Sequence, residues 1–207
     1  MRFLPGDELA HAPSDDPAWS EAWYFDLAVE GELACVVQLT TSPSAGLCRY
    51  RACLVGAEGP TDLVAVVDDD VPAPKGRSLE LRTHGLWADH IVETAFDHVS
   101  VGCEAFALRV DPPLDLSVEL VGERVAFGLD LGWETEGDVE PRTADGADEV
   151  QGYDMACVVY GEVLLGDGRI VVDGAPGRRG HLWGRGPLGP AWLTTSALPD
   201  VLLTREA

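Results

Sequence analysis

Over much of this 207-residue chain, apolar and polar side chains alternate with a period of two, which a strand satisfies and a helix does not. Trp23, Phe25, Leu27 and Val29 alternate with Tyr24, Asp26, Ala28 and Glu30, the pattern of a half-buried strand. The same period recurs in Leu33, Cys35, Val37 and Leu39, in Val125, Phe127, Leu129, Leu131 and Trp133, and in Tyr153, Met155, Cys157 and Val159. Turn chemistry falls between such runs at Glu30-Gly31, Ser42-Pro43, Gly59-Pro60 and Asp167-Gly168. The last predicts a two-residue hairpin turn with positive φ at both central positions. Short strands joined by tight turns predict an all-β antiparallel meander, and closure into a barrel removes its unpaired edges. Two segments read as interrupting loops, Asp69 to Gly76 and the acidic stretch Glu134 to Glu149.

Thirty-six acidic against fourteen basic side chains leave a net charge of −22, which repels phosphate backbones and anionic lipid surfaces. Neither nucleic acid nor membrane is expected as a partner. Cys35, Cys48, Cys53, Cys103 and Cys157 are odd in number, sit in apolar surroundings and form no close CxxC pair, so they read as buried free thiols of a reducing compartment. The first residues carry acidic side chains and no apolar run, unlike a secretory signal, and no stretch approaches the roughly 20 apolar residues of a spanning helix. The expected location is the cytoplasm.

Three stretches, WSEAWYFDLAVEG (Trp19 to Gly31), RSLELRTHGLWADHIVETAFDHVSVGCEAFALRV (Arg77 to Val110) and DGAPGRRGHLWGRG (Asp173 to Gly186), resemble the lipocalin-like carotenoid 1,2-hydratase (hydroxyneurosporene synthase) superfamily. The third is similar to a family motif of the form G-x-R-D-H-S-W-G-x-R-D-W. Arg179, His181, Trp183 and Gly184 match it, whereas Gly180 stands at its acidic position and Leu182 at its serine. The resemblance implies a lipocalin-like (calycin) barrel over residues 1–186, an open or strongly curved sandwich being the second choice. Residues 187–207 would be the residual start of a second barrel or a C-terminal tail. It further implies a hydrophobic small-molecule ligand, isoprenoid or polyketide-like, with hydratase or cyclase activity as the enzymatic form of that function.

His181 is the candidate proton donor or acceptor, with Arg179 and Arg185 as its electrostatic partners. The competing role for this cluster is structural: Trp183 plugs the barrel end while the histidine and arginine bond to backbone. Trp23, Phe25, Trp87 and Trp183 are the candidate ligand-binding aromatics, and Trp19, Trp23, Tyr24 and Phe25 read as one aromatic cluster at the barrel entry. His84, Asp89, His90, Glu93, His98 and Glu104 crowd one region, but His84 and His90 on one strand would lie about 20 Å apart, so neither a metal nor another cofactor is expected. Glu93 and Glu104 are expected on outward faces rather than as an acid/base pair. The alternative function is a non-catalytic carrier or interaction domain, with a homodimer formed through the apolar tail of Trp192, Leu193 and Val201 to Leu203.

Overall fold

The structure is a computed structural model that describes residues 2–29, 33–59, 62–74, 76, 78–112, 114, 119–142, 150–186 and 188. Among these, eleven strands form one antiparallel sheet: β1 (Trp19–Val29), β2 (Leu33–Ser42), β3 (Leu47–Val55), β4 (Leu63–Pro72), β5 (Leu81–Arg82), β6 (Leu86–Thr94), β7 (His98–Val110), β8 (Glu123–Thr135), β9 (Glu140–Arg142), β10 (Val150–Leu165) and β11 (Gly168–Arg185). The path β4-β3-β2-β1-β11-β10-β8-β7 closes on itself through a short β4–β7 pairing, Leu63 to Ala65 against Leu108 to Val110. Eight strands thus form a ring. The hairpin of β5 and β6 occupies the rest of that β7 edge, and β9 adds to β10. The fold is all-β and barrel-like, as the alternation predicts. Its only helical turn among the described residues is a 3-10 turn over Pro5–Glu8, and no helix there is long and apolar enough to cross a membrane.

Every alternating series identified in the sequence points one parity into the ring. Trp23, Phe25, Leu27, Cys35, Val37, Leu39, Phe127, Leu129, Leu131, Trp133, Tyr153, Met155, Cys157 and Val159 all join a single core. Large rings fill it, so the barrel encloses side chains rather than a ligand-sized void. All five cysteines are buried and free.

Four local expectations need correction. Strand β1 is buried on both faces rather than one: Tyr24 and Asp26 are 7% and 6% exposed, because Ala34, Val36, Cys53, Val55, Val110 and Leu114 build a second apolar cluster outside the ring. The last hairpin turns one residue earlier than expected, at Gly166-Asp167 with Leu165 paired to Gly168, and only Gly166 takes positive φ. The first supposed loop is strand as far as Pro72. In the second, β8 runs to Thr135 and Glu140–Arg142 is β9, since Arg142 finds the buried carboxylate of Asp154 across the sheet. Residues 143–149 and the apolar tail of Trp192, Leu193 and Val201 to Leu203 lie outside the described residues, while Leu188 packs with Ala22 and Val150.

One glycine fixes the contact between opposite parts of the ring. The fully buried Trp133 donates its indole N–H to the Asp26 carbonyl at 2.9 Å. Gly177, paired with both Leu27 and Cys157, leaves the room for this: a Cβ there would lie 2.4 Å from that carbonyl oxygen and 2.6 Å from Val159. Gly177→Ala is expected to destabilise the fold by about 1–3 kcal/mol. Urea denaturation checks this, and an unchanged midpoint would show that the strands separate without cost.

Candidate functional site

On β11 the inward parity carries Gly177, Arg179, His181 and Trp183, which sends a guanidinium and an imidazole into a barrel of apolar residues. Such groups require partners. Arg179, 4% exposed, donates from Nη1 to both carboxylate oxygens of Glu8 at 3.0 and 2.8 Å, and Tyr153 donates its hydroxyl to Glu8 Oε1 at 2.5 Å. His181, 1% exposed, places Nδ1 2.8 Å from the Asp7 carbonyl oxygen and Nε2 2.8 Å from Glu21 Oε1. The same Glu21 oxygen lies 2.6 Å from His11 Nδ1 and accepts the His11 backbone N–H at 3.0 Å.

Three chain segments therefore converge at one barrel end: β1 (Glu21, Trp23), the adjoining strands β10 and β11 (Tyr153, Arg179, His181, Trp183), and the N-terminal residues 3–11. These last lie over the barrel mouth as a strap. Phe3 packs edge-on to Tyr153 and Trp183, and Trp23 donates its indole N–H to the Glu8 carbonyl. Both imidazoles are clamped by indoles. His181 stacks on Trp23 at 4.4 Å between centroids, and His11 on Trp183 at 4.2 Å. Burial pushes the Glu21 carboxyl up, but the hydrogen bonds from His11 and His181 outweigh it and hold the group below its usual range, so Glu21 is an anion. An imidazole oriented by a carboxylate is chemically suited to move a proton.

The sequence candidates divide accordingly. Arg179, His181, Trp23 and Trp183 come together as expected, and Phe25 lies just beneath, against Trp133 and His90. Arg185 does not belong: its side chain is exposed and meets Asp16 at the surface, because β11 runs out of the barrel there. Trp87 does not belong either. It lines an open groove of about 540 Å³ on the outside of the sheet with Phe106, Glu104 and Leu164, where its ring covers Gly102. The expected aromatic cluster at the entry is also divided, since Trp23 and Phe25 face the core and Tyr24 the second cluster. Nor do the histidine and arginine bond only to backbone: each has a carboxylate. The partners Asp7, Glu8, His11 and Glu21 escaped the sequence reading. Glu21 left a signal, an acid sharing the inward parity of Trp23, Phe25 and Leu27, whereas Glu8 and His11 lie in an irregular segment without periodicity.

Gly180 also finds its reason here. A Cβ at this position would lie 2.2 Å from the Tyr24 hydroxyl and 2.4 Å from Asp154 Oδ1. Asp154, opposite Gly180 on β10, thus puts its carboxylate where a side chain at position 180 would extend, and it pairs with Arg142 and Arg178. Desolvation raises the Asp154 carboxyl to about 6.

The chain matches, over residues 4–193, a family described as a domain of unknown function (DUF7064). It belongs to that family. The matched span takes in the strap as well as β11. No curated protein matches the chain.

Below the strap a cavity of about 10 Å³, room for one water, separates Glu8, Arg179 and His181 from His90. His90 is fully buried, neither ring nitrogen has a hydrogen-bond partner, and desolvation depresses its pKa to about 3. Its pKa in the unfolded chain is near 6.5, so this residue's contribution to stability is whole above that pH and is lost as pH falls toward 3. His98 instead faces outward over Gly132, and Glu93 and Glu104 are exposed, as expected. His90→Leu is expected to make the loss of stability with acidification shallower by up to about 1.4 kcal/mol per pH unit between pH 6.5 and 4. Chemical denaturation of both proteins across that range checks it; parallel profiles would show that His90 titrates in the folded state.

Proposed function

We propose that this protein is a cytoplasmic lipocalin-like domain that binds a hydrophobic small molecule, isoprenoid or polyketide-like in its body and carrying a carboxylate or similar oxyanion head, at the mouth now closed by the strap. One observation carries the reading: the carboxylate of Glu8 sits in a buried cradle of Arg179 and Tyr153 beside Trp23 and His181, as a bound ligand's head would. Arginine with a tyrosine hydroxyl recognises a carboxylate through charge-assisted hydrogen bonds. The Glu8 side chain belongs to a short turn in which Leu4, Pro5 and Gly6 are exposed, so the turn itself buries little apolar surface, and Phe3 and Ala10 on either side pack on the core. Exchange of one carboxylate for another leaves the charge at Arg179 balanced, which removes the main penalty for opening the mouth. The body of the ligand would then replace the strap against Trp23, Tyr153 and Trp183.

The closed strap lowers apparent affinity by the fraction of time it stays in place. Glu8→Ala should therefore bind cis-parinaric acid, a fluorescent polyene fatty acid, at least about tenfold more tightly than the wild type. The methyl ester of the same probe should show no such gain. Because the substitution leaves Arg179 buried without its partner, it should also cost about 3–5 kcal/mol of stability, partly restored by added propionate. A folded Glu8→Ala protein with no gain in affinity for the acid and no rescue by propionate would overturn the proposal.

A further inference from the structure

The strap places a second constellation at the mouth, distinct from the Glu8 cradle. His11 Nδ1, His181 Nε2 and a Glu21 carboxylate oxygen all lie within 4.8 Å of one another, His181 and Glu21 fully buried and His11 partly so. A carbonyl oxygen only accepts, so the 2.8 Å contact with Asp7 commits His181 Nδ1 to carrying a proton. The other nitrogen, Nε2, then faces the Glu21 carboxylate at 2.8 Å. Between an imidazole lone pair and a carboxylate oxygen, only a proton or a metal ion makes that contact attractive.

Both histidines also have the outer contacts that ligating histidines use. His181 Nδ1–H is held by the Asp7 carbonyl, and His11 Nε2 faces Asp7 Oδ1 at 3.5 Å, so one residue orients both rings through its main chain and its side chain. Trp23 and Trp183 fix the ring planes by stacking. We propose that His11, Glu21 and His181 form a binding site for one divalent transition-metal ion of the Zn²⁺ type, with a fourth position left open. Two imidazoles and one carboxylate make a borderline N/O donor set suited to Zn²⁺, and poorly suited to Ca²⁺ or Mg²⁺. With bonds of roughly 2.0–2.2 Å the donors must spread to about 3.3 Å apart, an opening of about half an ångström from the present contacts. The net charge of −22 raises the local concentration of cations. Burial keeps the thiols protonated, those of Cys48, Cys53 and Cys103 being pushed up to about 12, so they compete weakly for the ion.

The ion would bridge the strap (His11) and the barrel (Glu21, His181), clamping the mouth shut. The site does not rest on the ligand proposed above, and its test uses no organic ligand. Protein freed of metal with a chelator, then dialysed and kept in excess Mg²⁺ to occupy surface carboxylates, is titrated with ZnCl₂ by calorimetry. One ion per chain is expected, with His11→Gln weakening binding at least about tenfold. His11 lies on the strap, so this variant spares the barrel, and Glu21→Gln gives a second reading from the barrel side. Co²⁺ should give the intense visible absorption of a tetrahedral site without a thiolate charge-transfer band, and His11→Gln should abolish it. Absence of saturable one-to-one uptake by the folded wild type, or equal Zn²⁺ affinity in the wild type and His11→Gln, would overturn the site.

Discussion

A guanidinium inside an apolar barrel is tolerable only beside an anion, and Arg179 obtains one from Glu8, 171 residues away in sequence. Much of the site depends on that pairing. It draws the N-terminal turn across the mouth, and Asp7 and His11 arrive with it at His181 and Glu21. The aromatic walls complete the arrangement, because indoles stack on the imidazoles and leave their nitrogens pointing at oxygen. Without the strap, the barrel would expose two buried charges of opposite sign, Arg179 and Glu21, to water at its rim.

The barrel beneath is filled, and this decides what kind of binding is available. Trp133, Tyr50, Tyr153, Phe25 and Met155 are buried inside the ring, and the space between Phe25, Tyr153 and His90 is no larger than a water. A ligand of the proposed kind would therefore gain room by moving the strap rather than by entering a preformed chamber. The open outer groove around Trp87 is larger, yet Glu8, Glu21, Arg179 and His181, which are buried, gather at the mouth. Polar groups held out of water are what give a site its chemistry, so the small closed mouth matters more than the large open groove.

Most of the barrel wall was legible because β-structure writes its two faces directly into alternate residues. The inward series from Trp23, Leu33, Val125 and Tyr153 all meet in the core. Errors arose where a second layer changed the meaning of the outward face. Tyr24 looks like a solvent-facing residue, and it is buried in an apolar cluster that Val110 and Leu114 join from elsewhere in the chain. Glu140–Arg142 reads as part of an acidic loop and becomes a strand once Asp154 offers Arg142 a buried partner.

For the site, the sequence by itself singled out Arg179, His181 and Trp183 by their place in a motif rather than by any periodicity of β11. It also assigned Trp23 to the barrel interior, while Arg185 and Trp87 were misplaced because neither the end of β11 nor the outer sheet face is marked by periodicity. Only the tertiary structure decided the partners. Glu8, His11 and Glu21 are selected by electrostatic compensation across the closed ring, and such pairing depends on distance in space, which a local pattern does not encode.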